Sequence, residues 1–187
     1  VAFGGQTVLD GVGFALDAGE MVLLRGENGS GKTVLFNVLS GYLSPDRGEV
    51  TVEVNGRRVN PAGTSPERLA RRGVGRLWQD IRLFSTMTVL DNVLASTSGL
   101  RGENPVMAVF ARTAVVRQER QARARALENL AAVGMADRAH SSCDMLSVGQ
   151  MKRVALARLL QMEASLLLLD EPMAGLDAGA AASLAVD

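Results

Sequence analysis

Three short clusters in this chain carry residue types that could do chemistry on phosphates. The first is Gly26-Glu27-Asn28-Gly29-Ser30-Gly31-Lys32-Thr33. Backbone N–H groups can converge on anionic oxygens only where the chain turns sharply and no Cβ stands in the way, which is what the glycines allow. Lys32 would reach the terminal phosphates, and the Thr33 hydroxyl is a hard oxygen donor suited to Mg²⁺. The second cluster is Asp170-Glu171-Pro172 after the apolar run Leu166–Leu169. There Asp170 would hold Mg²⁺ through its water shell, and Glu171 would polarise an attacking water. Alone, an acidic residue after a buried strand is often only a helix cap. The third is Leu146-Ser147-Val148-Gly149-Gln150, in which Ser147 and Gln150 form a capping box that opens a helix. A helix N-terminus of this kind also attracts anions.

These residues need elements to hold them. The apolar run Met21–Leu24 leads into the glycine loop, and Val34-Leu35-Phe36 leads out, predicting a strand–loop–helix unit. Val8–Leu16 and Met21–Leu24 read as strands parted by the Asp17-Ala18-Gly19 turn. A helix is predicted from about Lys32 to Leu39, stopped by Gly41. Val50, Val52 and Val54 alternate with Thr51 and Glu53, a half-buried strand that runs into the hairpin-type pair Asn55-Gly56. Ser65-Pro66 starts a helix carrying Leu69, and Gly73–Trp78 reads as a further strand. From Gln79 to about Asp144 the pattern is helical. Asn104-Pro105 gives a helix start, and a long helix from about Val115 to Val133 ends at Gly134. The run Leu166–Leu169 is apolar throughout, as a strand covered on both faces of a parallel sheet requires. Strands and helices thus alternate at both ends around a helical middle, an α/β pattern with a helical insertion.

Composition narrows the classes. The 187 residues suit one domain with room for a subdomain, and acidic and basic residues balance. No global field therefore favours nucleic acid or an anionic membrane. Arg117, Arg120, Arg123 and Arg125 lie among Glu119 and Glu128, a solvated helix face, so no nucleic-acid partner is expected. Cys143 stands alone, which excludes an internal disulfide framework and a Cys-rich zinc site and points to a cytosolic compartment. No segment is long and apolar enough to span a bilayer as a helix. The chain opens at Val1 and stops at Asp187 within what reads as an unfinished helix, so it reads as a fragment truncated at both ends.

Taken together, the clusters resemble the ATP-binding cassettes of ABC transporters. The glycine loop is similar to Walker A, Leu166–Glu171 to Walker B, Leu146–Gln150 to the ABC signature, and Ala174-Gly175-Leu176-Asp177 to the D-loop. Gln79, in Leu77-Trp78-Gln79-Asp80, sits where the Q-loop glutamine falls. The five motifs occur in order and cover nearly the whole chain. The resemblance implies a P-loop NTPase (RecA-like) α/β core with an N-terminal antiparallel β subdomain and an α-helical insertion. On that basis residues 1–78 and 147–187 form the ATP-binding core and 79–146 the helical subdomain. It further implies ATP and Mg²⁺ as ligands, with Glu171, Lys32 and Gln79 catalytic and Thr33, Gln79 and Asp170 around the metal. Gly26 to Thr33 would bind the nucleotide, with Phe3 stacking on adenine. In the family two cassettes face each other, so Ser147, Gly149 and Gln150 would close on a partner's ATP, with Asp177 at the dimer contact.

Phe3-Gly4-Gly5, Leu35–Asp46 and the stretch Gly75–Phe84, Met87-Thr88-Val89 and Asn92 resemble the branched-chain amino-acid-type importers, with urea importers sharing much of this. That implies transmembrane permease subunits, a periplasmic or extracellular binding protein, and a place at the cytoplasmic face of the membrane. Ile81, Leu83, Phe84 and Met87 are either subdomain core or the groove that receives the permease. The rival is a soluble ABC-type ATPase acting on ribosomes or nucleic acid. Val148 departs from the usual double glycine, but Gly149 is retained. The family's switch histidine lies beyond the D-loop and His140 cannot replace it, so weak turnover is expected of the fragment.

Overall fold

A computed structural model describes residues 1–54, 56–99 and 112–170, in two compact units that divide between Val74 and Gly75. In the first unit, β1 (Ala2–Phe3) and β2 (Gln6–Thr7) form an antiparallel hairpin, Phe3 opposite Gln6. Gly4 and Gly5 turn it with φ of +55° and +85°, which side chains avoid. Helix α1 (Lys32–Leu39) has the bounds its pattern predicts. It ends where Gly41 takes a φ of +78°, and a Cβ there would meet Leu69 Cδ1 at 2.6 Å. The end of α1 thus docks on α2 (Pro66–Arg72). Strands β3 (Val52–Val54) and β4 (Arg57–Val59) pair antiparallel, Val54 opposite Arg57. Val52 and Val54 are buried and Glu53 is exposed, the alternation read from sequence.

Two predicted strands do not form. Val8–Leu16 and Met21–Leu24 join no sheet among the described residues. Met21 is 95% exposed and Leu23 70%. An apolar run becomes a strand only when neighbours complete its hydrogen bonds and cover its faces; here Val1 bonds the backbone of Val8 and Leu9, and no described residue extends that pairing into a sheet.

The second unit is built on helices. β5 (Val74–Leu77) pairs with β6 (Leu166–Leu169), separated in the chain by α3 (Val89–Leu94), α4 (Arg112–Ala132) and α5 (Val148–Gln161). Each apolar face turns toward one cluster containing Val89, Leu90 and Val93 of α3, Ala126 and Leu130 of α4, and Val154 and Ala157 of α5. Gly134 ends α4 at φ +66°, with the Met135 N–H closing back on the Leu130 carbonyl at 2.8 Å. β6 differs from its sequence reading, because Leu167 is 42% exposed rather than covered. Among the described residues β6 has the one partner β5, and apolar content alone does not report how many neighbours a strand has. The predicted helix start at Asn104-Pro105 lies outside the described residues.

Candidate functional site

The glycine loop closes around the amine of Lys32. Its Nζ donates to the carbonyls of Gly26 at 2.6 Å and Glu27 at 2.8 Å, with Ser30 Oγ at 3.5 Å. Dihedral favours glycine at Gly29 and Gly31, with φ of +83° and +92°, and space does so at Gly26 and Gly31. A Cβ on Gly26 would lie 2.5 Å from Ser30 Oγ. Gly31 has a φ of +92°, and a Cβ there would lie 2.9 Å from Leu9 Cδ2. The segment continuing the β1–β2 hairpin therefore backs directly onto the loop. Gly26, Glu27, Asn28, Gly29 and Ser30 are exposed, as is Thr33 at the start of α1. No side chain caps α1 at Gly31. Its first N–H groups and its positive dipole end are thus unspent on protein side chains, which is how a phosphate-binding helix start is arranged. Phe3 belongs to the same unit and is 48% exposed on its hairpin, leaving ring surface to stack.

In the second unit, β5 and β6 finish at the same end. The Asp170 N–H donates to the Leu77 carbonyl at 3.3 Å, so buried Asp170 and exposed Gln79 emerge beside one another from adjacent strands. Gly75 permits the approach, since a Cβ there would touch Ala164 Cβ and Leu167 Cδ2 at 3.0 Å. Among the described residues no group of three or more His, Cys, Asp or Glu could hold a metal by itself. The residues that the family resemblance assigns to the metal, Asp170, Gln79 and Thr33, all carry oxygen donors and include one carboxylate. That fits Mg²⁺, which takes one or two carboxylates and completes its octahedron with water and phosphate. Glu171 and the D-loop Asp177 lie outside the described residues.

The third cluster opens α5. Ser147 is the N-cap, its Oγ accepting from the Gln150 N–H at 3.3 Å while Gln150 Oε1 accepts from the Ser147 N–H at 2.9 Å. The capping box read from sequence is present. Ser147 is exposed and keeps its hydroxyl proton for an external acceptor. Val148 is the first residue of the helix and is 60% exposed, with no positive φ, so the replaced glycine leaves no backbone strain.

The same unit holds residues that motif reading did not assign. Asn92 is wholly buried, and its amide pairs with both backbone groups of Phe84, Oδ1 accepting at 2.9 Å and Nδ2 donating at 3.0 Å. Nδ2 also lies 3.2 Å from Cys143 Sγ. Burial pushes the Cys143 thiol above its ordinary pKa, with Arg158 opposing the shift. Arg158 donates to the Arg82 carbonyl at 2.6 Å and to Ser96 Oγ at 3.1 Å, and burial lowers its pKa. The available signal was a polar residue within an apolar helical stripe: Asn92 between Leu90 and Val93, Arg158 between Ala157 and Leu159. The apolar residues after Gln79 divide, Leu83 packing on the core while Phe84 and Met87 remain 51% and 42% exposed.

A family profile described as ABC transporter matches residues 9–174. This chain belongs to the ABC transporter ATP-binding family. The cassette is 34% identical over 175 residues to the high-affinity branched-chain amino acid transport ATP-binding protein BraF of Pseudomonas aeruginosa, covering 94% of this chain and 67% of that one. It is 39% identical over 176 residues to the phosphate-import ATP-binding protein PhnC of Mycolicibacterium smegmatis, covering 94% and 63%. The cassette therefore spans about two thirds of the length of these relatives. Among solved structures it superposes with a TM-score of 0.73 on the cassette MJ0796, a dimer in a post-hydrolysis state bound to ADP and Pi, at 26% identity over 95% of this chain and 71% of that one. The fold is the α/β P-loop NTPase fold of ABC ATPases, and the cassette is an ATPase of that class, of the importer type. No described helix is long and apolar enough to cross a membrane.

Proposed function

We propose that the cassette binds and hydrolyses ATP as the energising subunit of an importer of small polar solutes, working as one of a pair on the cytoplasmic face of a transmembrane permease. The observation that carries the reading is the loop Gly26–Gly31 wrapped around the Lys32 amine at the uncapped start of α1. Lys32 and the loop N–H groups take the β- and γ-phosphates, and Phe3 stacks on adenine. Thr33, Gln79 and Asp170 hold Mg²⁺, which when bound neutralises charge developing on the phosphates. Glu171 orients and polarises the attacking water, and Gln79 helps place it. Ser147, Gly149 and Gln150 seal the γ-phosphate held by a partner cassette, with Asp177 at that contact. The exposed ring of Phe84 and side chain of Met87 offer the permease an apolar foothold. A substrate-binding protein delivers the solute to the permease and makes no contact with the cassette.

Branched-chain amino acids are the proposed cargo class, supported by the BraF relative and by the stretches Leu35–Asp46 and Gly75–Asn92. The experiment is ATP turnover and solute uptake by the full-length protein reconstituted with its permease. Lys32→Ala is expected to weaken ATP binding and abolish turnover, whereas Glu171→Gln retains ATP and cuts turnover by about a hundredfold or more. Uptake of leucine, and not of a phosphonate, is expected of the wild type. ATP binding undiminished by Lys32→Ala would overturn the assignment of the loop, and phosphonate uptake would overturn the cargo.

A further inference from the structure

Gln79 stands between two fixed points of the second unit. Upstream, Leu77 is held in β5 against Asp170. Downstream, the chain is gripped at Arg82 by Arg158 and at Phe84 by Asn92. Further along, Ser142 Oγ donates to the Ser85 carbonyl at 3.3 Å, and the Cys143 N–H to the Met87 carbonyl at 3.2 Å. Only Trp78–Ile81 bridges the strand and the gripped segment, so the position of Arg82 limits where Gln79 can go.

The grip at Arg82 comes from α5, the helix that Ser147 opens. Arg158 forms no ion pair with a carboxylate among the described residues. A partly buried cation without a counter-ion is costly unless its donors find acceptors. Here the donors go to two neutral acceptors, the Arg82 carbonyl and the Ser96 hydroxyl, while the guanidinium lies 5.6 Å from the centre of the exposed Phe84 ring. A planar fork with two anchored arms fixes position where a flexible ammonium would not. The same arginine therefore joins a helix that begins at one candidate phosphate site to a loop that contains a residue of another.

We infer that Arg158 is a positioning residue that couples the Ser147 end of α5 to Gln79, so that seating Ser147 on a partner's nucleotide also sets Gln79 in its own protomer. The inference rests on the roles given above to Ser147 and Gln79. It calls for no contact between Arg158 and nucleotide.

The test is a double-mutant cycle on steady-state ATP turnover by the full-length protein. Arg158→Met keeps the apolar stem and removes both donors. It is expected to lower kcat by about tenfold or more with KM for ATP within about twofold. Arg158→Lys, which keeps one donor but not the fork, loses about threefold. Ser96→Ala, which leaves the Arg82 contact in place, stays within about twofold of wild type. Gln79→Ala combined with either Arg158 variant turns over no more slowly than Gln79→Ala alone. Losses that multiply in the double variant would overturn the coupling, since a merely structural arginine acts independently of Gln79. If Arg158→Met does not fold, the cycle through Arg158→Lys decides the same point. Wild-type turnover in Gln79→Ala would instead overturn the underlying role of Gln79, a result the cycle separates from failure of the coupling.

Discussion

Asn92 spends its whole amide on its neighbours and has no access to water. Pairing with the N–H and C=O of Phe84 imitates the edge of a strand, and Nδ2 reaches the Thr88 carbonyl at 3.1 Å as well. An apolar replacement of similar size would leave the Phe84 N–H without its partner, while the Phe84 carbonyl would keep the Met87 N–H at 3.1 Å. A buried unsatisfied group costs about 1–3 kcal/mol, so Asn92→Leu is expected to destabilise the protein by about 1–3 kcal/mol despite its higher hydrophobicity. Urea denaturation followed by circular dichroism measures this, and a variant as stable as wild type would show that water replaces the amide. Asn92 was visible in sequence only as one position of a family resemblance. Its role depends on Phe84 being returned to the same place by the intervening turn, which periodicity does not encode.

At the scale of an element, α5 joins local folding to the proposed chemistry in a single residue. Ser147 caps the helix whether or not a nucleotide is present, so Ser147→Ala lowers stability by about 1 kcal/mol and confounds the two roles. Ser147→Asp separates them. Aspartate caps as well as serine, and its charge favours the positive helix end. Thermal stability should therefore match or exceed that of wild type. The same charge would face the γ-phosphate of a partner's ATP, so ATP-dependent dimerisation of a Glu171→Gln background, followed by size-exclusion chromatography with light scattering, should disappear. A variant that still dimerised on ATP would argue that Ser147 serves the helix alone. Elements with local signals were legible in this way: the capping box of α5, the glycine stops of α1 and α4, and the pairing of β3 with β4. The segments Val8–Leu16 and Met21–Leu24 were not, because being a strand is a property of neighbours and not of composition. Likewise the glycine loop, Asp170 and Ser147 were singled out from motif chemistry and Gln79 from the family resemblance, whereas Arg158 was not, since its acceptors lie far away in sequence.

Across the whole chain, protection from solvent is uneven. The helical unit buries side chains of α3, α4 and α5 in one cluster, with Val89, Val93, Ala126, Leu130, Val154 and Ala157 all inaccessible. In the first unit the buried apolar side chains among the described residues are Val38, Val52, Val54, Val59, Pro61, Leu69 and Val74, all from Val38 onward. The segment ahead of the glycine loop exposes Val12, Phe14, Met21, Val22 and Leu23 by about half or more, and within it the Glu20 N–H turns back onto the Asp17 carbonyl at 3.1 Å. Local opening free energy follows buried contacts and shielded hydrogen bonds, so these regions should separate by orders of magnitude in amide exchange. In the 187-residue polypeptide, peptides covering 12–24 are expected to exchange within seconds, while those of α3, α4 and α5 remain protected for hours. An apolar dye should bind strongly, because a contiguous uncovered run of this kind is rare on a monomer. The sequence of Met21–Leu24 is that of a strand waiting for partners. A version extended to the length of the relatives is therefore expected to slow exchange at 21–24 by about a hundredfold or more and to lose most dye binding. If 21–24 exchanged as fast in the longer protein, the run would be an exposed tether to the glycine loop, and Lys32 would owe its placement to α1 and the Val8-Leu9 contact alone.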